Sequence, residues 1–233
     1  MQVTFSIQRF DPTKDKKPYK KEYKIEVEPT ARILDCLDKI KWNIDGSLAY
    51  RRSCSHGICG SDAMRINGVN KLACQVLVKD YPKGYIKIEP LASLDIIKDL
   101  IVDMDSFFKK YDVIKPYLIT KTAPPRKERY QSKESRALID EAVNCILCGS
   151  CSTACPSLWS NDEFLAPSAL LKAYRFIFDS RDEAPNERLD IIDTPDGLWR
   201  CRTVFNCVEA CPKEINITWH LSQLKKKCAM REL

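Results

Sequence analysis

The sequence lacks any long run of apolar residues. Its longest apolar stretches are only a few residues long, far short of the roughly 18 that a helix needs to cross a bilayer. The first residues, MQVTFSI, alternate as a strand does, so no secretory signal peptide is predicted. We therefore expect the chain to work in a reducing compartment, such as the bacterial cytoplasm.

Signs of nucleic-acid binding and of bond-making catalysis are also missing. The net charge is +6, and lysines gather at 14–21 and 225–227 without the aromatic–basic interleaving of a nucleic-acid platform. The first cluster is interpreted as a solvated loop, and a weak attraction of the second to anionic lipid stays open. The sequence has no phosphate-cradling loop, catalytic dyad or general base, so no catalytic residue is predicted.

The alternation of strand and helix patterns predicts an α+β protein with two domains. We expect a strand-rich domain at 1–105, a connecting segment at 106–133 and a helical domain at 134–233. Strands are predicted at VTFSIQRF, YKIEVEP, LACQVLV and GYIKIEP, and helices at 29–40, 95–109, 134–144, 167–180 and 218–230. The residues expected to be buried by the helix at 95–109 are Ile97, Leu100, Ile101, Met104 and Phe108.

Cysteine is abundant, with 12 residues in the chain. In a reducing compartment closely spaced thiols favour metal ligation over disulfides. One motif, CILCGSCSTACP, has the spacing C-x2-C-x2-C-x3-C-P of cubane iron–sulfur proteins, at Cys145, Cys148, Cys151 and Cys155. A second, CRTVFNCVEACP, repeats it with Cys201, Cys207 and Cys211. Val204 stands where the remaining cysteine is expected.

Two such motifs are expected to exchange ligands. Three cysteines of one run surround one cluster, and the fourth, which precedes the proline, binds the other cluster. A 4Fe-4S cluster is accordingly assigned to Cys145, Cys148, Cys151 and Cys211. The other cluster is assigned to Cys155, Cys201 and Cys207. Val204 has no donor atom for the fourth corner, which favours a 3Fe-4S cluster there. Zinc is the alternative, but the crossed pattern fits its paired C-x2-C knuckles poorly.

The strand-rich half contains a further candidate site. The stretch RRSCSHGICGSDAMRINGVNKLACQV approaches the plant-type spacing C-x4-C-x2-C…C of a 2Fe-2S cluster, with aspartate at the third position. Its candidate ligands are Cys54, Cys59, Asp62 and Cys74. A carboxylate binds iron through oxygen, although it is a harder ligand than thiolate. In the alternative, Asp62 is an ordinary loop acid and the fourth ligand comes from elsewhere, Cys36 being the spare thiol of this half.

The two histidines and the two remaining cysteines are not predicted to be cluster ligands. A Rieske cluster needs two histidines on one iron, and the chain has only His56 and His220, in different halves. His56 is therefore interpreted as a loop residue. Cys36 and Cys228 are left over, and the helical spacing of Cys228 with Leu221 and Leu224 predicts that it packs.

With these motifs in this order, the chain resembles, over its full length, the iron–sulfur subunits of the succinate dehydrogenase and fumarate reductase family. Further matching stretches are SCSHGICGSDAM, APSALLKAYRF with DSRD, and CPKEIN. The resemblance implies a plant-type ferredoxin domain of β-grasp fold, followed by an all-α domain like bacterial ferredoxins. Some members of the family have aspartate at the third 2Fe-2S position, and an aliphatic residue beside the three-iron cluster is the family's rule. Both facts support the interpretation of Asp62 and Val204.

The resemblance also implies a function. A partner flavoprotein with FAD would oxidise succinate to fumarate, and electrons would pass through the 2Fe-2S, 4Fe-4S and 3Fe-4S clusters to a quinone. The quinone would lie at the interface with transmembrane anchor subunits. The chain would then be peripheral on the cytoplasmic face of the bacterial inner membrane, or on the matrix side of the inner mitochondrial membrane.

The quinone-side positions that the resemblance implies are Pro156, Trp159, Ser160, Arg202 and Lys225. Two of them depart from the family. Ser160 stands where many members have the second tryptophan of a pair, and Arg202 stands where many have histidine. Judged by residue type alone, Trp159 is equally well a packed aromatic, and Lys225 a solvated cation.

Three alternatives to succinate oxidation remain from the sequence. A fumarate reductase subunit would carry electrons in the reverse direction. An iron–sulfur subunit of another flavoprotein would serve the oxidation of a different small acid. A free-standing multi-cluster ferredoxin, or a structural iron–sulfur module, would have no stable flavoprotein partner.

Overall fold

The structure is a computed structural model that describes residues 1–231, and the chain divides into two compact units. The first unit comprises Met1–Met104 and Ile146–Ala154, and the second Asp105–Cys145 and the chain from Cys155 onward. In this division the segment at 106–133, which was expected to be a linker, belongs to the second unit, and Ile146–Ala154 groups with the first unit rather than with the helical part. Within residues 1–231, no helix is both long and apolar enough to cross a membrane.

A five-stranded mixed sheet forms the framework of the first unit. Its strands are β1 Gln2–Arg9, β2 Tyr19–Glu26, β3 Ala63–Ile66, β4 Val69–Leu72 and β5 Tyr85–Glu89. They lie in the order β2-β1-β5-β3-β4, with β1 and β5 parallel and the other neighbours antiparallel. Val3, Phe5 and Ile7 alternate along β1 and are fully buried, as the period of two requires.

Helix α1, Ile33–Asn43, covers this core. The side chains predicted for its apolar face join the strands in one buried cluster: Ile33, Leu34, Leu37 and Ile40. A carboxylate oxygen of Asp35 accepts a hydrogen bond from the Arg32 backbone N–H at the start of the helix, 3.2 Å away. This contact satisfies a backbone donor that the first turn leaves without an intrahelical partner. The predicted short helix is confirmed.

The predicted helix at 95–109 is wrong over most of its length. The chain instead forms a hairpin of β6, Ile96–Lys98, and β7, Ile101–Val102. Asp99 lies between the two strands with a left-handed φ of 48° and is 1% exposed. Its carboxylate accepts hydrogen bonds from Arg9 and from the backbone N–H groups of Phe10 and Ala49. A buried carboxylate requires such partners, and a helix would not have supplied them.

Helix α2 starts only at the end of the predicted segment, as Asp105–Val113. The helical periodicity predicted the buried side chains only in part. Leu100 is buried as predicted, at 5% exposed, but Ile97 and Phe108 are 48% and 42% exposed. Phe107, which was not predicted to be buried, is 5% exposed.

The strand predicted at LACQVLV is also wrong. Only Leu72 of this stretch belongs to a strand, β4, and the segment continues through a turn to a 3₁₀ turn at Val78–Asp80. The backbone N–H of Cys74 donates to the carboxylate of Asp62 instead of to a neighbouring strand.

Besides α2, the part of the second unit that the structure describes contains seven further α-helices. They are α3 Lys133–Ala137, α4 Asp140–Val143, α6 Pro156–Ser160, α7 Ala166–Ile177, α8 Pro185–Ile192, α9 Asn206–Glu209 and α10 Ile217–Ala229. Helix α5, Ser150–Thr153, lies in the first unit beside β4. Helix α7 is the centre of the second unit and packs against α2, α4, α8 and α10.

The helices predicted at 167–180 and 218–230 are confirmed as α7 and α10. The helix predicted at 134–144 is two short helices, α3 and α4. Between them, the Leu138 carbonyl accepts a hydrogen bond from the Tyr174 hydroxyl at 2.9 Å. The expected combination of a mixed-sheet unit and a helical unit, an α+β protein, is confirmed.

Candidate iron–sulfur sites

The loop after Cys54 directs three backbone donors at one thiol. The N–H groups of His56, Ile58 and Cys59 lie 3.5, 3.4 and 3.3 Å from the Cys54 sulfur. These hydrogen bonds lower the pKa of Cys54 to about 6. Left-handed residues within the loop turn the amides inward, an arrangement that forms anion-binding concavities in proteins. The loop is therefore suited to hold a negatively charged sulfur.

Asp62 has one carboxylate oxygen without a hydrogen-bond partner in residues 1–231. The residue is 2% exposed, and its Oδ2 accepts a hydrogen bond from the Cys74 backbone N–H at 2.6 Å. Its Oδ1 is buried and accepts no hydrogen bond from any residue in 1–231. Burial and the neighbouring Asp62 carboxylate raise the pKa of Cys74 to about 12. An unsatisfied buried carboxylate oxygen is costly, and an iron ion bound there would remove the cost.

Cys36 does not offer an equally good alternative. It belongs to α1, and its side chain is 1% exposed in the apolar core that this helix covers. Burial and, to a lesser extent, the charge of Asp35 raise the pKa of Cys36 to about 12. The residues of this loop thus fit a 2Fe-2S cluster held by Cys54, Cys59, Asp62 and Cys74. Which of these residues bind iron stays a prediction.

The two cysteine motifs of the second half have the same backbone conformation. In the first, Leu147 and Gly149 are left-handed, with φ of 55° and 81°. In the second, Thr203 and Phe205 occupy the corresponding positions, with φ of 58° and 66°. Each motif then continues into a four-residue helix, α5 or α9. The repeat visible in the sequence is therefore also a repeat in backbone conformation, of a kind that forms anion-binding concavities in other proteins.

A cavity in the second unit brings the candidate three-iron ligands together. Cys155, Cys201 and Cys207 all line it, and Val204 lies on its wall. The cavity is small, with a volume of about 20 Å³, and it is partly open to solvent. Its wall combines three thiols with one apolar side chain, the set of side chains expected around a 3Fe-4S cluster.

The contact of Thr218 with a candidate ligand sulfur was not predicted from the sequence. Its hydroxyl lies 3.6 Å from the Cys207 sulfur, and the residue is 7% exposed at the start of α10. Hydrogen bonds to ligand sulfurs are one of the factors that set cluster potentials. A threonine eleven residues after a cysteine gives no signal in the sequence, because the contact depends on how α10 returns to the motif.

The candidate 4Fe-4S ligands are divided between the units. Cys148 and Cys151 belong to the first, and Cys145 and Cys211 to the second. Within the first unit, the loop of the candidate 2Fe-2S site lies directly against Cys148. A Cβ atom added at Gly60 would lie 2.6 Å from the Cys148 Cβ. The two cysteine-bearing segments therefore touch, which the sequence did not indicate.

Two of the implied quinone-side positions line the same cavity, and a third contacts a cysteine of its wall. Pro156 and Arg202 line it, and the Lys225 ammonium donates to the Cys201 carbonyl at 2.9 Å. Lys225 is therefore a motif contact rather than only a solvated cation. Trp159 is 54% exposed, so it is not a packed core aromatic. Ser160 lies beside it at the end of α6.

Other thiols behave as packing residues. Cys228 is fully buried together with Leu221 and Leu224 of α10. Within residues 1–231, no three histidine, cysteine, aspartate or glutamate side chains converge closely enough to hold a metal ion. The candidate ligands would instead surround clusters of several iron and sulfide atoms.

Comparison with family models defines the class of the protein. Residues 4–109 match the 2Fe-2S iron-sulfur cluster binding domain, and residues 137–212 match the 4Fe-4S dicluster domain. A chain of the Mycobacterium smegmatis Sdh1 complex in the apo form has the same fold, with a TM-score of 0.86 at 24% identity over 99% of this chain and 96% of that one. The fold and the domain matches together define an iron–sulfur electron-transfer protein.

Relatives in three organisms identify the family. The chain is 46% identical to the succinate dehydrogenase iron-sulfur subunit of Coxiella burnetii, covering 92% of each chain. It is 46% identical to that of Paracoccus denitrificans, over 95% of this chain and 86% of the relative. It is 47% identical to the mitochondrial succinate dehydrogenase (ubiquinone) iron-sulfur subunit 1 of Oryza sativa subsp. japonica, over 96% and 81%. The chain belongs to the family of succinate dehydrogenase iron–sulfur subunits.

Membership of this family confirms several predictions at once. The predicted class, the α+β fold and the electron-transfer role within an oxidoreductase complex are confirmed. The two domain matches also confirm that the chain carries 2Fe-2S and 4Fe-4S binding domains. The identity of each ligand, the three-iron cluster, the partners and the quinone remain predictions.

Proposed function

We propose that this chain carries electrons from a FAD-containing flavoprotein, which oxidises succinate to fumarate, through 2Fe-2S, 4Fe-4S and 3Fe-4S clusters to a membrane quinone. The observation that carries the proposal is the cavity lined by Cys155, Cys201 and Cys207 with Val204 on its wall. A four-cysteine site would have marked a ferredoxin with two equal cubanes. Three thiols with an apolar fourth corner support a terminal cluster of a different kind. When bound, the clusters supply one-electron redox centres.

Two exposed residues beside the first site support electron entry there. His56 and Ile58 of the Cys54 loop are exposed, Ile58 by 54%. A flavoprotein that docks over this loop would approach the 2Fe-2S site without displacing the core of the unit. The loop's backbone amides donate hydrogen bonds to the Cys54 sulfur.

Gly60 keeps the first two sites close together. Its lack of a side chain lets the Cys54–Gly60 loop rest on Cys148, a proposed 4Fe-4S ligand. The remaining proposed ligands of that cluster are Cys145, Cys151 and Cys211. Close approach of the protein segments that hold two redox centres shortens the path between them. The close approach of Gly60 to Cys148 thus supports a direct route between the first two proposed clusters.

The quinone is proposed to bind beside the three-iron cavity. That cavity is lined by Pro156 and Arg202. The Lys225 ammonium donates to the carbonyl of Cys201, the first cysteine of the second motif. Trp159 and Ser160 lie at the end of α6, the helix that follows Cys155. Arg202 is exposed and cationic, so it can donate hydrogen bonds to a quinone oxygen. The exposed apolar side chains of Trp159 and Val204 would be covered by a transmembrane anchor subunit. The chain would then be peripheral, on the cytoplasmic or matrix face of the membrane.

The direction of electron flow follows from the relatives. All three relatives described above are named succinate dehydrogenase subunits, which favours succinate oxidation over fumarate reduction. A free-standing ferredoxin is less well supported, because all three relatives are named as subunits.

Purification from membranes tests the proposal. A tagged chain should co-purify with a FAD-bearing chain, and anaerobic succinate should reduce its clusters. Isolation of the chain alone, with clusters that succinate does not reduce, would contradict it.

A pair of variants tests the quinone side. Lys225→Ala should lower succinate-driven quinone reduction severalfold while leaving reduction of a soluble dye acceptor near the wild-type rate. Lys226→Ala is the matched control, since Lys226 is the next residue on α10 and is exposed. Equal loss of both activities in Lys225→Ala would place the residue outside the quinone site.

A further inference from the structure

A lysine contacts each of the two cysteine motifs in the same way. The Lys225 ammonium donates to the carbonyl of Cys201 at 2.9 Å, and the Lys172 ammonium donates to the carbonyl of Cys145 at 3.1 Å. Cys201 and Cys145 are the first cysteines of their motifs. Lys225 is a position that the family resemblance had indicated, whereas Lys172 is not.

The equivalence extends to the elements that carry the two lysines. Lys172 lies on α7 and Lys225 on α10, and each is the first long helix after its own motif. The two motifs also share left-handed residues at their third and fifth positions and a short helix directly after them. Lys172 therefore occupies, for the first motif, the place that Lys225 occupies for the second.

Neither ammonium group has an acidic partner at this place. Each lysine is half-buried, and among residues 1–231 neither has a carboxylate within salt-bridge distance. An ammonium group has only donors, and the carbonyl contact neutralises no charge. An uncompensated positive charge in a partly buried position acts on a nearby redox centre with little screening.

We infer that Lys172 is a positioning residue that fixes the Cys145 carbonyl and raises the reduction potential of the 4Fe-4S cluster, as Lys225 does for the 3Fe-4S cluster. The inference rests on the ligand assignment of the proposed function. Reduction adds one negative charge to a cluster, and a positive charge close to one of its ligands stabilises the reduced form. Each lysine is expected to act on the cluster of its own motif.

The test is an EPR-monitored redox titration of both clusters in the purified complex. In Lys172→Gln, which keeps a donor but removes the charge, the ratio of reduced to oxidised 4Fe-4S cluster at a fixed potential should fall by about threefold to tenfold. A tenfold change corresponds to 59 mV for a one-electron couple. Lys172→Arg should restore the wild-type ratio to within about twofold, because it keeps the charge.

Specificity is tested by the reciprocal variant. Lys172→Gln should leave the ratio of reduced to oxidised 3Fe-4S cluster within about twofold of wild type. Lys225→Gln should lower this ratio for the 3Fe-4S cluster and leave that of the 4Fe-4S cluster within about twofold of wild type. Lys172→Met, which keeps much of the length of lysine but has neither charge nor donor, should repeat the decrease. Iron and sulfide content measured on each variant checks that both clusters are present.

Three results would overturn the inference. They are an unchanged 4Fe-4S ratio in Lys172→Gln, equal shifts of both clusters, and loss of the 4Fe-4S cluster in both neutral variants, which would show a purely structural role. These results would leave the proposed function intact. Absence of the two cluster signals from the wild-type complex would overturn the proposed function and, with it, the inference.

Discussion

Replacement of Gly60 by alanine tests the contact between the first two candidate sites. Gly60 has a left-handed φ of 69°, a conformation that costs an L-residue roughly 1 kcal/mol. The new methyl carbon would also lie 2.6 Å from the Cβ and 3.0 Å from the Cα of Cys148. Carbon atoms prefer a separation of about 3.5–4.0 Å, so one of the two segments must move.

The cost can be estimated from these two contributions. Overpacking of a well-packed region costs about 1–3 kcal/mol, to which the backbone conformation adds roughly 1 kcal/mol. We therefore expect Gly60→Ala to lower the free energy of unfolding by about 2–4 kcal/mol. Because the loop that moves carries Cys54 and Cys59, part of the 2Fe-2S cluster should be lost as well.

The assay is denaturant unfolding followed by cluster absorbance and circular dichroism. Gly68→Ala is the matched control, since Gly68 has a φ of 87° but the nearest atom to its added Cβ is a side-chain nitrogen of Arg65 at 4.0 Å. The control pays the backbone cost without the clash, and should lose only about 1 kcal/mol. Equal destabilisation by the two substitutions would refute the close approach of Gly60 to Cys148.

Three further substitutions test other parts of the structure. Asp62→Ala should change or abolish the EPR signal of the reduced 2Fe-2S cluster while Asp62→Cys retains a cluster, and unchanged spectra in the alanine variant would remove Asp62 from the site. Thr218→Val should lower the reduced fraction of the 3Fe-4S cluster at a fixed potential by severalfold relative to Thr218→Ser, because valine has no hydroxyl to donate to the Cys207 sulfur. Equal reduced fractions in the two variants would show that this hydroxyl does not influence the cluster potential. Asp179→Asn should destabilise the protein by about 3 kcal/mol at pH 7, against at most about 1 kcal/mol for Asp190→Asn at an exposed ion pair. The pKa of Asp179 lies below its usual value, because the hydrogen bonds and charge of Arg181 outweigh the opposing effect of burial. Its contribution is therefore complete at neutral pH and should decline only below about pH 4, so denaturant unfolding that shows the same penalty at lower pH would contradict the ion pair.

The cysteine spacing predicted the candidate sites because ligand geometry is a local property of the chain. A C-x2-C-x2-C loop fixes where three thiols point, and the residue at the fourth position decides what can be bound there. Val204 was therefore informative without any structure. The left-handed backbone of both motifs, including the non-glycine Phe205, follows the same local requirement.

Contacts between segments that lie far apart in the sequence could not be predicted from residue spacing. Lys172 and Thr218 contact cysteines 27 and 11 residues away, through the path of α7 and α10. The failure at 95–109 has a related cause. Apolar residues there recur with a helical period, but the buried carboxylate of Asp99 needs partners from β1 and from the segment after α1, and those partners favour a hairpin.

The central claim is that the site of Cys155, Cys201 and Cys207 holds three irons. It is tested most directly by a low-temperature EPR spectrum of the air-oxidised protein, because oxidised 2Fe-2S and 4Fe-4S clusters are silent and an oxidised 3Fe-4S cluster is paramagnetic. The account predicts a signal that integrates to about one spin per chain. A silent spectrum from protein with full iron content would contradict it, and would show that the cavity beside Val204 holds something else.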